Sequence, residues 1–338
     1  MSRREEILSL LHGQAGISTP PVFSGLIHIT ASGLQSEGLD FHEVHHDAQK
    51  MAKAAASTFR LTGIPSAALP LDLCAPAEAL GAQLKYYEPH EIRFPQPAKS
   101  LFASAEYLSS AYFESADFLQ SGRLPLICRA MKFLKEDIGN DAAIGGIVPG
   151  PYTLLLYLLE PGGLFAEMKR EPNLVHEALF QLSTFLIKVA SSYRECGADY
   201  ITIHEMGGSP GFIGPAKFEQ FVYPALKQLI LELPKPVVLS VCGNTNKSIE
   251  LLSQTGARAI SVDQVNDLSA SRSLLNTGTL LFGNLDPVNI LFNGTTGGIQ
   301  DAVQMAIQAG VDAVWPGCDL VPQTSLENIK AFVQRTER

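Results

Sequence analysis

The sequence is poor in several features that mark special classes of protein. Only 5 of its 338 residues are cysteine, an odd and scattered set, so we expect a reducing compartment and no disulfide framework. No apolar run approaches the roughly 18 residues of a membrane helix. The opening "MSRREEILSLLHG" lacks the apolar centre and cleavage site of a signal peptide. These absences predict a cytoplasmic location without membrane insertion.

Charge is also limited. Charged residues make up 17% of the chain, the net charge is −9, and no Lys/Arg stripe is present. Nucleic-acid-binding proteins usually carry such a basic stripe, so nucleic acid is not an expected partner. Hydrophobic residues reach 46%, which is enough for a large core. The composition is typical of a globular enzyme.

Short β-branched runs alternate with longer helical patterns along the chain. Residues 215–233 are one such helical pattern, opening with Pro215 at a favoured first-turn position. A doubly wound open sheet would use the same alternation, but a count of eight strands favours an α/β (β/α)8 TIM barrel. Without a linker or a shift in composition, we expect one domain over residues 1–338. The eight candidate strands are residues 21–29, 66–74, 142–150, 199–205, 236–243, 259–264, 279–287 and 312–320.

The connection after the second candidate strand is unusually long. Residues 82–94 predict an extra strand or hairpin there, and residues 104–135 predict two helices.

Titratable and thiol side chains concentrate where the candidate strands end. In TIM barrels this edge carries the chemistry, so we expect the functional site there. The candidates, in chain order, are His28, Asp72 with Cys74, the loop "GGIVPGPYT", His204 with Glu205, Ser240 with Cys242, Asp263, Asn284 with Asp286, and Cys318 with Asp319.

Two cysteines, Cys242 and Cys318, follow the fifth and eighth candidate strands. Cysteine is among the most buried residue types, so both thiols are compatible with an ordinary core position. Both are nevertheless followed by glycine or aspartate and a polar loop. The two strand ends face each other across a barrel mouth, where thiolates are suitable zinc ligands. From the residues alone, core packing and metal binding both remain open.

Two other candidates have alternative interpretations. Consecutive residues of a strand point to opposite faces, so at most one of His204 and Glu205 projects into the barrel. A hydrogen-bonded pair at a strand end would explain them equally well. Asp72 is an acid within an apolar run and needs either a partner or a function.

Two polar clusters give weaker signals. His42, His45, His46 and Asp47 resemble a metal cluster, but they run directly into a helical pattern, which favours a solvated helix start. Asn284 and Asp286 belong to "GNLDP" at the seventh strand end, where barrels often bind anionic groups. We take this pair as cofactor-binding candidates, although neither a Walker lysine nor a GxGxxG pattern is present.

Five segments follow one another in an order typical of one family. Together they resemble the uroporphyrinogen decarboxylase superfamily over essentially the whole chain. Within it they are most similar to the branch of methylcobamide:coenzyme M methyltransferases and chloromethane-type corrinoid methyltransferases. The resemblance implies a (β/α)8 barrel. The segments are "GIVPGPYTLLLYLLEPGGL", "GPAKFEQFVYPALKQL", "VVLSVCGNTNKSIELLSQTGARAISVD", "GNLDP" and "GCDLVPQTSLENIKAFV".

The resemblance distinguishes two branches of this superfamily. The decarboxylases carry an arginine-containing "RQAGRY"-like segment that binds substrate carboxylates, whereas the matching "PVFSGLIHITASG" here has no arginine. The methyltransferases carry a zinc motif of His-x-Cys and a later Cys, which implies Cys242 and Cys318 as ligands. The family histidine falls on Ser240, a poor zinc ligand. We expect His204 to replace it, with Asp263 and Glu205 as lower-ranked substitutes.

The resemblance implies a zinc-dependent methyltransferase that moves a methyl group between a methylcobamide and a small thiol. Its partner would be a corrinoid protein, with Asp72 and Glu205 as catalytic candidates. Three alternatives stay open: a corrinoid-dependent demethylase, a uroporphyrinogen decarboxylase-type enzyme with Asp72 under the pyrroles, and a barrel without catalysis that carries a tetrapyrrole or a thiol. The sequence does not identify the thiol.

Overall fold

A computed structural model describes residues 1–14, 19–88 and 91–334. The strands are β1 Ser66–Leu69, β2 Leu84–Lys85, β3 Gln96–Pro97, β4 Ala143–Pro149, β5 Tyr200–Glu205, β6 Val237–Val241, β7 Ala259–Val262, β8 Leu280–Leu285 and β9 Ala313–Pro316. The helices are α1 Arg3–His12, α2 Ala31–Ser36, α3 Ala48–Thr62, α4 Ala75–Ala79, α5 Ser110–Glu114, α6 Leu124–Ile138, α7 Pro151–Leu158, α8 Pro161–Arg170, α9 Pro172–Glu195, α10 Pro210–Ile213, α11 Pro215–Lys217, α12 Tyr223–Glu232, α13 Ile249–Ser253, α14 Leu268–Leu274, α15 Thr296–Gln308 and α16 Leu326–Val333. None of the described helices combines the length and apolar character that crossing a bilayer requires.

Seven parallel strands form the barrel wall, in the order β1-β4-β5-β6-β7-β8-β9. Helices follow these strands and cover the outside, as expected for a (β/α)8 TIM barrel. Seven of the eight predicted runs contain these strands. The predicted fold class is therefore confirmed.

The eighth position of the wall is filled by an irregular segment, so the prediction of a regular strand at residues 21–29 is wrong. Val22 makes one isolated parallel bridge to Val314 of β9. On the other side, the Ser24 N–H donates to the side chain of Ser66, at 3.1 Å, rather than to a β1 carbonyl. A side-chain acceptor interrupts the backbone ladder on which a regular strand depends.

The lower part of the barrel interior is filled with aromatic rings. Phe23 packs edge-on against Tyr200, Phe282 and Trp315, with ring centroids 5.1–6.5 Å apart. Gly25 is required beside this cluster, because a Cβ there would overlap the Trp315 indole. Edge-to-face packing of this kind makes a rigid base for the residues above it.

The long connection between β1 and β4 contains the predicted hairpin. β2 pairs antiparallel with β3, and the second strand lies just beyond the predicted range of 82–94. Residues 89 and 90 of that range lie outside the described residues. The predicted helical region, residues 104–135, contains α5 and most of α6, which continues to Ile138.

The histidine-rich segment 42–47 leads into α3, as the helix-start interpretation predicts. The Asp47 carboxylate caps the helix by accepting from the Lys50 N–H at 2.9 Å. His45 is buried and lies 3.1 Å from the Asp72 carboxylate, whereas His46 is exposed.

Candidate metal centre

Strand parity places His204 inside the barrel. Tyr200 belongs to the interior aromatic cluster, and its side chain shares a face with those of Thr202 and His204, since alternate residues of a strand point the same way. Ile201 and Ile203 face the helices. The His204 imidazole is fully buried.

His204 lies at the level of the barrel where the family histidine was expected. β5 and β6 pair with His204 opposite Ser240, so both side chains project inward from neighbouring strands at the same height. Cys242 lies two residues after Ser240 and therefore shares its face. Cys318 follows the end of β9 at Pro316. The parallel register thus brings the imidazole to the thiols from one strand away.

These three side chains form a close triangle. His204 Nε2 is 3.0 Å from Cys242 Sγ, the two sulfurs are 3.1 Å apart, and Cys318 Sγ is 4.0 Å from Nε2. Within the described part of the chain, this is the group of three or more His, Cys, Asp or Glu side chains whose geometry suits a metal ion.

The triangle fits zinc. With zinc–sulfur bonds of about 2.3 Å and a zinc–nitrogen bond of about 2.0–2.1 Å at tetrahedral angles, neighbouring ligand atoms lie about 3.5–3.8 Å apart. The observed separations of 3.0, 3.1 and 4.0 Å fall on both sides of that range. Two sulfurs and one imidazole nitrogen are a soft donor set of the kind that selects zinc.

The close contact between the two thiols shifts their pKa values in opposite directions. The hydrogen bond to Cys318, together with burial, raises the pKa of the Cys242 thiol well above its usual value. The same hydrogen bond, aided by His204, lowers the pKa of Cys318 well below its usual value. Burial lowers the pKa of His204, but Asp319 and Cys318 outweigh it and raise the value to about 9. Cys318 is therefore the more acidic of the two thiols.

The two lower-ranked substitutes have other partners. Asp263 accepts from the backbone N–H of Gly243 at 2.8 Å and of Val265 at 3.1 Å, which fixes two neighbouring loops. Glu205, outside the barrel, accepts from the N–H groups of Tyr152 and Thr153 at the start of α7.

Glu205 is fully buried, and burial raises its pKa. The Gly208 N–H donates to it at 2.8 Å, and the Thr153 hydroxyl also donates. These contacts tie the loop after β5 to the N-terminus of α7, where a negative charge is favourable. The structure does not bring Glu205 together with the metal triangle, and its catalytic role stays a prediction.

Asp72 has a buried partner that the sequence analysis did not identify. Arg123, at the start of α6, donates to both carboxylate oxygens of Asp72, at 2.7 and 3.1 Å, and also to Glu78 at 2.6 Å. Burial raises the pKa of Asp72, but Arg123 and His45 overcome this and hold it far below its usual range. No sequence signal links two residues so far apart in the chain.

A cavity of about 620 Å³ opens at the barrel mouth, and it reaches from Asp72 to Asp319 beside the triangle. Its lining is mixed, with apolar side chains, two carboxylates, the Cys74 thiol and the Tyr157 hydroxyl. The lining residues are Ile27, Asp72, Leu73, Cys74, Phe94, Pro95, Gln96, Pro97, Lys99, Ser100, Leu156, Tyr157, Leu159, Pro161, Met206 and Asp319.

The two cofactor-binding candidates lie elsewhere. Asn284 donates to the carbonyls of Asp263 and Asn266, and Asp286 caps the turn after β8. Both residues line a separate cavity of about 430 Å³ between the β7 and β8 loops. The structure does not bring them to the first cavity, and their role stays a prediction.

His28 is buried, with its ring nitrogens 2.7 and 3.0 Å from two backbone carbonyls.

Known proteins resemble this chain along its full length. Methylcobamide:CoM methyltransferase MtaA of Methanosarcina barkeri is 28% identical over 98% of this chain and 96% of its own. Methylcobamide:CoM methyltransferase MtbA of Methanosarcina acetivorans is 30% identical over 90% of this chain and 89% of its own. A solved structure of a methyltransferase from Methanosarcina mazei matches with a TM-score of 0.92 at 27% identity, covering 98% of this chain and 97% of that one.

The family assignment agrees with the barrel and with the order of the five segments. Residues 2–338 match the family described as uroporphyrinogen decarboxylase (URO-D). The chain is therefore a member of the uroporphyrinogen decarboxylase (URO-D) family.

Proposed function

We propose that this protein is a zinc-dependent methyltransferase that transfers a methyl group between a methylcobamide and a small thiol. The triangle of His204, Cys242 and Cys318 carries the proposal, because its donor set and spacing suit a catalytic zinc site with three protein ligands. The similarity to methylcobamide:CoM methyltransferases over at least nine-tenths of the chain supports the reaction class.

In this proposal His204, Cys242 and Cys318 would hold the zinc, and the substrate thiol would bind beside them. Bound zinc would supply Lewis acidity, which makes the thiolate form of the substrate accessible at neutral pH. The thiolate is the form that attacks a methyl group, so no separate general base is required for this reaction class.

The surrounding residues position the substrates. The aromatic cluster, to which β5 contributes Tyr200 and β9 contributes Trp315, fills the barrel interior below the strand ends that carry the ligands. The cavity beside Asp319, with a volume of about 620 Å³, is large enough for a small thiol. Because Arg123 keeps Asp72 ionised, Asp72 acts there as a fixed negative charge and hydrogen-bond acceptor rather than as an acid.

The charge of the cavity favours methyl transfer over the decarboxylase alternative. A porphyrinogen carries several carboxylates, which need cationic partners. Lys99 is the cationic residue among the described lining residues, and the guanidinium of nearby Arg123 is already paired with Asp72 and Glu78. The methyl donor would be presented by a corrinoid-carrying protein docked over the same mouth.

Metal content and turnover test the proposal together. Protein purified without added metal should contain about one zinc per chain and should demethylate methylcobalamin in the presence of a suitable thiol from a panel that includes coenzyme M and homocysteine. Cys318→Ala should lose both properties, whereas Cys128→Ala, a matched cysteine outside the centre, should keep them. Clear decarboxylation of uroporphyrinogen, or a wild type that takes up no zinc, would overturn the proposal.

A further inference from the structure

We propose that Asp319 is a positioning residue that holds His204 in the orientation and tautomer needed for metal binding. This inference rests on the proposed metal centre and assigns a role to a residue outside its three ligands. It also assigns a structural role to the irregular eighth segment of the barrel wall, residues 21–29, whose Ile27 contacts Asp319.

One ring nitrogen of His204 has no hydrogen-bond partner. His204 Nε2 faces the two sulfurs, whereas Nδ1 points away from them, is buried, and has no hydrogen-bond partner. An unpaired buried donor is unfavourable because it has lost its hydrogen bonds to water, so such a group normally has a partner in the working protein. The nearest carboxylate oxygen is Oδ1 of Asp319, 3.9 Å from Nδ1.

The separation of 3.9 Å is longer than a hydrogen bond but too short for a bridging water. A movement of about 1 Å by the carboxylate or the ring would form a direct N–H···O bond. The ligand triangle itself requires adjustments of about half an ångström to reach tetrahedral spacing, so small shifts of the His204 ring accompany metal binding in any case.

Asp319 is held in place from several sides. Its carboxylate accepts from the Ile27 N–H at 2.9 Å. The next residue, Leu320, donates its N–H to the Ile27 carbonyl at 3.0 Å. The eighth segment therefore fixes the carboxylate beside His204 through Ile27, although it forms no regular strand there.

A carboxylate acceptor at Nδ1 has a direct consequence for the ligand. It keeps the proton on Nδ1, leaves the Nε2 lone pair for the metal, and restricts rotation of the ring. Loss of such a partner lowers metal affinity by about 10–100-fold in other zinc proteins. The effect must pass through His204, and this requirement separates positioning from a simple attraction between the Asp319 charge and the metal.

The test is a double-substitution cycle read out by zinc affinity. Chelator competition should show a loss of about 10-fold or more for Asp319→Ala, with a smaller loss for Asp319→Asn, whose amide oxygen can still accept from Nδ1. In a His204→Ala background, adding Asp319→Ala should change the affinity by less than about twofold, because the residue it positions is gone. Asp267→Asn, an exposed helix cap, is the matched control and should leave the affinity unchanged.

Cobalt(II) substitution provides a second readout. Asp319→Ala should shift the ligand-field bands, which depend on the whole ligand set and so respond to a change at the imidazole, while the thiolate-to-cobalt absorption keeps its intensity because both cysteines remain. An equal loss of affinity in the wild-type and His204→Ala backgrounds would overturn the positioning role while leaving the metal centre intact. Absence of zinc from the wild type would instead overturn the proposed function.

Discussion

Replacing Arg123 by methionine is expected to lower the free energy of unfolding, because it breaks the buried ion pair with Asp72. Asp72 is 1% exposed and Arg123 is 5% exposed, so neither charge can turn to solvent. Removing one partner of such a pair leaves an uncompensated buried charge and costs about 3–5 kcal/mol of unfolding free energy. Arg60→Met is the matched control. Arg60 also contacts two carboxylates but lies on the surface, so we expect a loss of no more than about 1 kcal/mol.

The cost of Arg123→Met should depend on pH. In the wild type the folded-state pKa of Asp72 is depressed, so its stabilising contribution is present above the unfolded pKa of about 3.9 and is lost only as pH falls through the folded value. In the variant, burial raises the folded-state pKa above the unfolded value. The loss of unfolding free energy relative to the wild type is then fully present above the raised pKa. It shrinks by about 1.4 kcal/mol for each pH unit below that pKa, until pH reaches about 3.9.

Urea unfolding at several pH values between 7.5 and 4.5 measures both effects. The double variant Asp72→Asn with Arg123→Met should recover much of the loss, since it removes the unpaired charge. A deficit below about 1 kcal/mol at pH 7.5, or one that does not shrink on acidification, would refute the reasoning.

Three further substitutions have expected outcomes. His204→Ala should lower the zinc affinity markedly in chelator competition while leaving a weaker site at the two cysteines, and adding Ser240→His to it should restore the affinity, because the two positions lie side by side on the inner face; an unchanged affinity in His204→Ala would contradict the ligand assignment. Glu205→Gln should keep its zinc but lower the unfolding free energy by about 1–3 kcal/mol, since it weakens a buried hydrogen-bond network; loss of metal would show that it acts at the centre. Gly25→Ala should cost about 1–3 kcal/mol in thermal or urea unfolding through overlap with Trp315, and an unchanged stability would show that the indole has room to move.

Much of the fold follows from patterns local in the chain. Seven of the eight apolar runs contain barrel strands, because a strand buried on both faces must be apolar throughout. The position of functional groups at the carboxyl ends follows from the fold class. The two cysteines stood out because both follow strand-like apolar runs and precede polar loops, and the sequence around them also resembles a family zinc motif.

The features that the sequence predicted wrongly or left open depend on contacts between distant parts of the chain. The apolar composition of residues 21–29 predicted a strand. A strand also needs backbone hydrogen bonds from the adjacent strand, and here the Ser24 N–H donates to the Ser66 side chain where a regular ladder would use a carbonyl. The sequence also left open whether His204 or Glu205 projects into the barrel. Which of the two faces the barrel interior is a matter of strand parity, and the structure turns Glu205 toward α7.

The sequence by itself determined the alternation of strands and helices, the residues at the strand ends and the presence of two suitably placed thiols. Only the tertiary structure decided that His204 pairs in register with Ser240 and brings an imidazole to within 3.0 Å of Cys242. It also decided that Arg123 pairs with Asp72 and that the eighth segment holds Asp319. Each of these contacts joins residues far apart in the chain. Their distances depend on register and side-chain direction across the barrel, which local sequence patterns do not encode.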